Sequence, residues 1–117
     1  MSQITVYEKP TCTKCRQLAK LLTERGVDFE KVNFHLDPLS AAQIAGLLRM
    51  AGLRPREALR TNEAIYKELQ LGKRELSDEE LTELMAAHPD LLQRPIVVRG
   101  ERAVLARPAE AVLALLD

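Results

Sequence analysis

The sequence predicts an α/β fold built on a mixed four-stranded sheet flanked by helices. A strand, a helix and a second strand alternate in the opening part, helical patterns fill the middle, and two β-branched runs followed by a helix come last. The chain has 117 residues, of which 46% are hydrophobic, so it can bury one sizeable core. We therefore expect a single domain over residues 1–117.

The opening unit is a strand, a helix and a strand. The apolar run Ile4–Tyr7 predicts the first strand, and Phe29–Asn33, which alternates apolar and polar residues, predicts the second. Helical periodicity between them runs from Thr13 to about Arg25 and ends at Gly26. The apolar stripe of this helix consists of Cys15, Leu18, Ala19 and Leu22. Strands joined through a helix are normally parallel, with a right-handed crossover.

The middle of the chain, residues 40–88, predicts a helical insertion between the second and third strands. Apolar residues recur there at helical spacing behind side chains that favour helix starts. We expect the first two helices of the insertion to end at Gly52 and Gly72. The expected capping residues are Ser40 with Gln43, Asn62, and Ser77 with Glu80.

Strand character returns near the end of the chain. Ile96–Val98 and Ala103–Leu105 predict an antiparallel hairpin joined through Arg99–Arg102, and Pro108 then begins a closing helix. The complete order of elements describes a thioredoxin-like sheet with helices on its faces. That fold carries a cis proline immediately before its third strand. Pro95 stands at this place, so the analogy implies a cis bond before it.

Both cysteines of the chain lie in the turn between the first strand and the first helix, as Cys12-Thr13-Lys14-Cys15. The unpaired N–H groups and the positive dipole end of a helix favour a thiolate over a thiol. We therefore expect Cys12 to be a nucleophilic or redox-active thiol. Cys15 has two interpretations: a resolving thiol that forms a disulfide with Cys12, or a small buried residue of the apolar stripe.

Composition excludes several classes of function. The net charge of zero and the 3% aromatic content argue against direct nucleic-acid binding. No apolar run approaches the roughly 18 residues of a membrane helix, and no signal-like segment begins the chain, so we expect a cytoplasmic protein. A zinc site would need ligands at spacings unlike a compact finger, and we expect no metal. Its ligands would be Cys12, Cys15, His35 and His88.

Several segments of the chain resemble the ArsC family of glutaredoxin-coupled arsenate reductases, in order and over essentially the whole length. These segments are Tyr7–Cys12, Leu59–Glu63, His88–Val98 and Ala106–Pro108. The resemblance implies that Cys12 is the nucleophile. It also implies that an oxyanion is bound by Arg60, Arg94 and Arg107.

The same resemblance implies a cytoplasmic oxidoreductase that reduces arsenate to arsenite. It would bind no cofactor and would take electrons from glutathione with glutaredoxin, or from thioredoxin. Arginine suits the oxyanion because its planar guanidinium stays charged and donates paired hydrogen bonds. We expect Arg16, through its charge, and Pro95 to support the site.

Two residues depart from the reductase pattern. Glu8-Lys9 stands where these enzymes usually have His-Asn, and Cys15 stands where they generally have serine. The Cys-x-x-Cys motif resembles the Spx-type regulators of the same family, which bind RNA polymerase. The alternative function is therefore a redox-sensing transcriptional regulator with a Cys12–Cys15 disulfide switch. A third interpretation keeps the oxyanion pocket for another substrate, such as a glutathione conjugate or a mixed disulfide.

Overall fold

The computed structural model describes residues 3–9 and 11–116, and the chain divides into two compact units. The sheet unit comprises Met1–Asp37 and Arg94–Asp117, and the helical unit comprises Pro38–Gln93. The expectation of a single domain over residues 1–117 stays a prediction. Within the described ranges, no helix combines the length and apolar character needed to span a membrane.

The sheet unit contains a mixed four-stranded sheet in the order β2-β1-β3-β4. Strand β1 pairs in parallel with β2 and antiparallel with β3, while β3 and β4 form an antiparallel hairpin. The predicted fold class is confirmed, including the helical insertion between the second and third strands. The strands are β1 (Ile4–Glu8), β2 (Phe29–Asn33), β3 (Ile96–Arg99) and β4 (Arg102–Leu105).

Helix α1 (Thr13–Glu24) packs on one face of this sheet. Alternate β1 residues and the α1 stripe form a buried apolar core with the closing segment of the chain. Burying each large apolar side chain contributes about 1.5–3 kcal/mol to folding. This packing fixes α1 on the sheet and so fixes the turn between β1 and α1. The fully buried members of this core are Val6, Leu18, Leu22, Val97, Ala106 and Val112.

The C-terminal elements differ in detail from the expectation. Arg99 and Arg102 are paired strand residues, so the hairpin loop is shortened to Gly100-Glu101, and Gly100 has a φ of 63°. The closing helix begins as a 3₁₀ turn over Ala109–Val112 and continues as α5 (Leu113–Leu116). The cis bond expected before Pro95 is present, and the bond before Pro108 is also cis.

The helical unit contains α2 (Ala41–Met50), α3 (Ala64–Glu68) and α4 (Asp78–Ala87). The capping boxes predicted at the starts of α2 and α4 are both formed, with the serine oxygen accepting from the N–H three residues on at 3.1 Å. Helices α2 and α4 pack against each other. Their buried apolar side chains are Ile44, Leu47, Leu48, Leu81 and Met85.

The expected boundaries of α3 were wrong at both ends. Glu63 occupies the N-cap position in place of Asn62, and its carboxylate accepts a hydrogen bond from Arg60 rather than from the helix. At the other end Gln70 adopts a left-handed conformation with a φ of 52°, so α3 ends before Gly72. Gly72 instead lies in a 3₁₀ turn.

Candidate active site

Cys12 lies where the chain leaves β1 and enters α1. It is the N-cap residue of α1, and its carbonyl oxygen accepts the N–H of Arg16 at 3.1 Å. Its own N–H donates to the carbonyl oxygen of Lys9 at 2.9 Å, which closes the turn. The side chain is half-buried. The turn therefore holds the sulfur at the positive end of the helix while leaving it accessible.

The pKa of the Cys12 thiol is lowered from its ordinary value. Burial raises this pKa, but the N–H and thiol of Cys15 and the N–H of Lys14 outweigh burial because they stabilise the thiolate. The positive charge of Arg94 acts in the same direction. Cys12 is the sulfur of this site that ionises readily.

Cys15 lies one helical turn further on and is 1% exposed, as its place in the apolar stripe predicts. Burial raises the pKa of this thiol to about 12, and the N–H of Lys9, which favours the thiolate, offsets only part of the rise. The interaction with Cys12 and the negative charge of Glu8 raise it further. The turn therefore pairs an easily ionised thiol with one that keeps its proton.

Arg94 and Arg107 come together at the end of the hairpin nearest to Cys12. Because β3 pairs with β4, the residues that flank the hairpin also meet, and Nη1 of Arg107 donates to the carbonyl oxygen of Arg94 at 3.0 Å. Arg94 is 3% exposed, Arg107 is half-buried, and the charge of Arg94 reaches the Cys12 sulfur. An anion beside that sulfur would meet a fixed guanidinium charge.

Arg60 belongs to the helical unit, and its part in binding an oxyanion stays a prediction. Its backbone N–H donates to the carbonyl oxygen of Leu91 at 2.7 Å, and its Nε donates to Oε1 of Glu63 at 3.0 Å. The side chain is 21% exposed. Sequence reasoning missed Glu63, although its spacing of three residues from Arg60 favours such a pair.

The remaining predicted residues take different positions. Arg16 is exposed on α1, and Pro95 is buried directly before β3. In the described part of the chain, no three His, Cys, Asp or Glu side chains are grouped closely enough to hold a metal ion. The residues of the zinc alternative are therefore not gathered at one point.

Glu8 is a buried carboxylate that the sequence marked only as a departure from a pattern. It is 3% exposed, and burial raises its pKa against the opposing charge of Lys31. Its negative charge adds to the rise in the pKa of the Cys15 thiol. The signal that could have placed it is the alternation of Ile4, Val6 and Glu8, which puts these three side chains on one face of β1.

A model of the ArsC family matches residues 7–115. The chain is 40% identical to the uncharacterized protein YfgD of Escherichia coli K12, over 97% of both chains, and 35% identical to an arsenate reductase of Rhizobium meliloti, over 97% of this chain and 81% of that one. A solved arsenate reductase from Vibrio cholerae is 36% identical over 97% of both chains, with a TM-score of 0.91.

Proposed function

The chain belongs to the ArsC family, and on this basis we propose that it reduces arsenate to arsenite through a covalent adduct on Cys12. The observation that carries the proposal is the lowered pKa of Cys12 at the start of α1, within reach of the charge of Arg94. Relatives named arsenate reductase support the same class of thiol-dependent oxidoreductase.

The first step needs the substrate's charge to be offset. Arsenate at neutral pH is a tetrahedral anion that repels a thiolate, and the guanidinium groups of Arg94 and Arg107 supply paired N–H donors and positive charge. The Cys12 sulfur then bonds to arsenic as hydroxide leaves, which gives a sulfur–arsenic(V) adduct. Arg60 is proposed as a third oxyanion-binding residue, on the family resemblance alone.

The second step needs another thiol. That thiol supplies electrons, arsenic(V) becomes arsenic(III), and arsenite is released while a disulfide forms. We propose glutathione with glutaredoxin, or thioredoxin, as the external donor, acting without a bound cofactor. Cys15 is the internal candidate, because its thiol interacts with Cys12.

The test is arsenate-dependent thiol consumption by the purified protein, with each donor system supplied in turn. We expect turnover that Cys12→Ser abolishes, because serine provides no thiolate. Arg107→Met should lower this turnover, because Arg107 is proposed to bind the anion. Arg102→Met is its matched control, since both arginines donate to a backbone carbonyl oxygen. Turnover that survives in Cys12→Ser, or that is absent with every donor, would refute the proposal.

The second candidate function is a redox-sensing regulator of the Spx kind. The interaction between the two thiols favours it, because oxidation could join them. Affinity purification of the tagged chain from cells, followed by mass spectrometry, would separate the candidates. RNA polymerase retained by the wild type and lost after oxidation, together with no arsenate turnover, would replace the enzyme proposal. If the substrate is instead a glutathione conjugate or a mixed disulfide, the purified protein would consume thiols when that compound is supplied without arsenate.

A further inference from the structure

The carboxylate of Glu63 is not used by the helix that it precedes. Glu63 stands at the N-cap of α3, yet in the described part of the chain its side chain makes none of the hydrogen bonds that cap a helix. An acceptor at this position normally satisfies one of the free N–H groups of the first turn. Oε1 of Glu63 instead accepts the Nε–H of Arg60 at 3.0 Å. The direction of this side chain therefore needs an explanation other than helix capping.

Arg60 is held at its backbone as well as at its side chain. Its N–H donates to the carbonyl oxygen of Leu91 at 2.7 Å, beside the antiparallel bridge between Leu59 and Leu92. The ion pair with Glu63 is partly shielded from solvent, since the side chains are 21% and 27% exposed. A free arginine side chain samples many rotamers. Anchoring both the backbone and Nε restricts the guanidinium to a narrow range of positions.

The contact with Glu63 leaves most of the Arg60 guanidinium available. Nε carries a single N–H, whereas Nη1 and Nη2 carry the other donors of this planar group. Within residues 3–9 and 11–116, neither Nη1 nor Nη2 of Arg60 makes a hydrogen bond. These two nitrogens form an edge that donates in parallel to two oxygens of an anion. Glu63 thus occupies the side of the guanidinium that a bidentate contact through this edge does not need.

We propose that Glu63 is a positioning residue for Arg60, holding the guanidinium by Nε so that its Nη1 and Nη2 edge meets the oxyanion substrate in one orientation. This inference rests on the proposed function, in which Arg60 is the third oxyanion-binding residue. Glu63 does not touch the anion. It orders the Arg60 side chain before binding, so that the entropy of ordering is not lost when the anion binds.

The charge of Glu63 acts against the anion, and this separates two possible roles. A carboxylate near a bound oxyanion repels it, so removing the charge alone should not weaken binding. The carboxamide of Glu63→Gln keeps an oxygen that accepts the Nε–H of Arg60. Glu63→Met removes both the charge and the acceptor. If Glu63 positions Arg60, only the methionine variant should bind the anion less well.

The first measurement is steady-state arsenate turnover with the thiol donor that supports the wild type. For Glu63→Met we expect KM to rise about threefold to tenfold, the effect of freeing one long side chain, with kcat changed by less than about twofold. Glu63→Gln should have a KM no more than about twice that of the wild type. The control is Glu68→Met, which removes an exposed glutamate of α3 and should leave both constants unchanged.

A double variant shows whether Glu63 acts through Arg60. Arg60→Met should raise KM more than Glu63→Met does, because it removes the donors themselves. In a chain that already carries Arg60→Met, adding Glu63→Met should cause no further rise in KM. A role of Glu63 in the structure of α3 alone would raise KM by the same factor with and without Arg60. Urea denaturation checks that each variant is folded.

A second measurement needs no turnover. Sulfate is a tetrahedral oxyanion that thiols do not reduce, and sulfate bound at the proposed site should slow the alkylation of Cys12 by iodoacetamide. The sulfate concentration that gives half of the full protection should rise in Glu63→Met and in Arg60→Met. It should stay near the wild-type value in Glu63→Gln and Glu68→Met.

The outcomes separate this inference from the proposed function. An unchanged or lower KM in Glu63→Met, or an equal rise with and without Arg60, would overturn the inference. If Arg60→Met has no effect, the inference fails while the reaction through Cys12 with Arg94 and Arg107 stands. If no arsenate is turned over but half-protection by sulfate still shifts in Glu63→Met, the proposed substrate fails and the role of Glu63 stands. A wild type with neither turnover nor sulfate protection would overturn both.

Discussion

Two cysteines one helical turn apart acquire opposite acidities from their surroundings. Cys12 faces N–H groups and the charge of Arg94, which lower its pKa, whereas burial raises the pKa of Cys15 to about 12. The site therefore has one thiol that is nucleophilic at neutral pH and one that stays protonated. The neighbouring thiol also stabilises the Cys12 thiolate.

We predict that Arg94→Met raises the pKa of Cys12, because the substitution removes a charge that favours the thiolate. The rate of Cys12 alkylation by iodoacetamide should fall as pH drops through this pKa, and the midpoint should move to higher pH in the variant. Arg25→Met is the control, since Arg25 is exposed at the opposite end of α1 and its charge is screened by solvent. Equal midpoints in the wild type and Arg94→Met would contradict the prediction.

Arg107 permits a separate prediction on substrate binding. Arg107→Met should lower kcat/KM for arsenate by about tenfold to a hundredfold, the value of one or two hydrogen bonds to a charged group. The pH profile of Cys12 alkylation should not move, because Arg107 acts on the anion and on the Arg94 carbonyl oxygen. A variant with full kcat/KM would remove Arg107 from the proposed site.

At the scale of elements, α1 and α2 end by the same backbone motif. In each, the glycine after the C-cap residue has a positive φ, 68° at Gly26 and 71° at Gly52. The following N–H returns to a carbonyl oxygen near the helix end, as from Leu53 to Leu48 at 2.9 Å. Helix α3 ends with Gln70 in this conformation, which costs a side-chain-bearing residue more than glycine.

Two glycines of the helical unit should respond in opposite ways to alanine. Gly46 lies inside α2, where an added Cβ meets nothing within 4 Å, so Gly46→Ala should raise the free energy of unfolding by about 0.5–1 kcal/mol. Gly52 is equally open but has a φ of 71°, so Gly52→Ala should lower it by about 1–2 kcal/mol. Urea denaturation checks both. The same sign for both variants would be inconsistent with this account.

At the scale of the whole molecule, the buried Glu8 makes stability depend on pH. Its pKa in the folded chain lies above the ordinary value of 4.5, so the folded state binds the proton more tightly than the unfolded state. The resulting stabilisation is complete below pH 4.5 and is lost as pH rises through the raised pKa.

We therefore predict that Glu8→Gln stabilises the protein relative to the wild type at neutral pH, and that this advantage shrinks as pH falls to 4.5. The measurement is the difference in unfolding free energy between the two proteins across this range. Glu30→Gln, at an exposed site, should show no such trend. A difference that is constant with pH would contradict the assignment.

The sequence by itself determined the elements whose signals are local. Strand β2 and the starts of α1, α2 and α4 are found where alternation, periodicity and the Ser40 and Ser77 capping boxes predicted them. These signals succeed because each involves residues a few positions apart. The start of α3 was missed because Asn62 favours a cap by its residue type alone. In the structure Glu63 takes the N-cap position while its side chain accepts from Arg60, and the helix begins one residue later than Asn62 predicted.

Only the tertiary structure decided what the candidate site can do. The sequence identified Cys12 and the arginines, the latter through a resemblance, but gave no distances between them. Strand pairing brings Arg107 to Arg94, and packing of α1 on the sheet buries both Glu8 and Cys15. Acidity depends on burial and on charges from residues remote in the chain, so the opposite shifts of the two thiols required the folded protein.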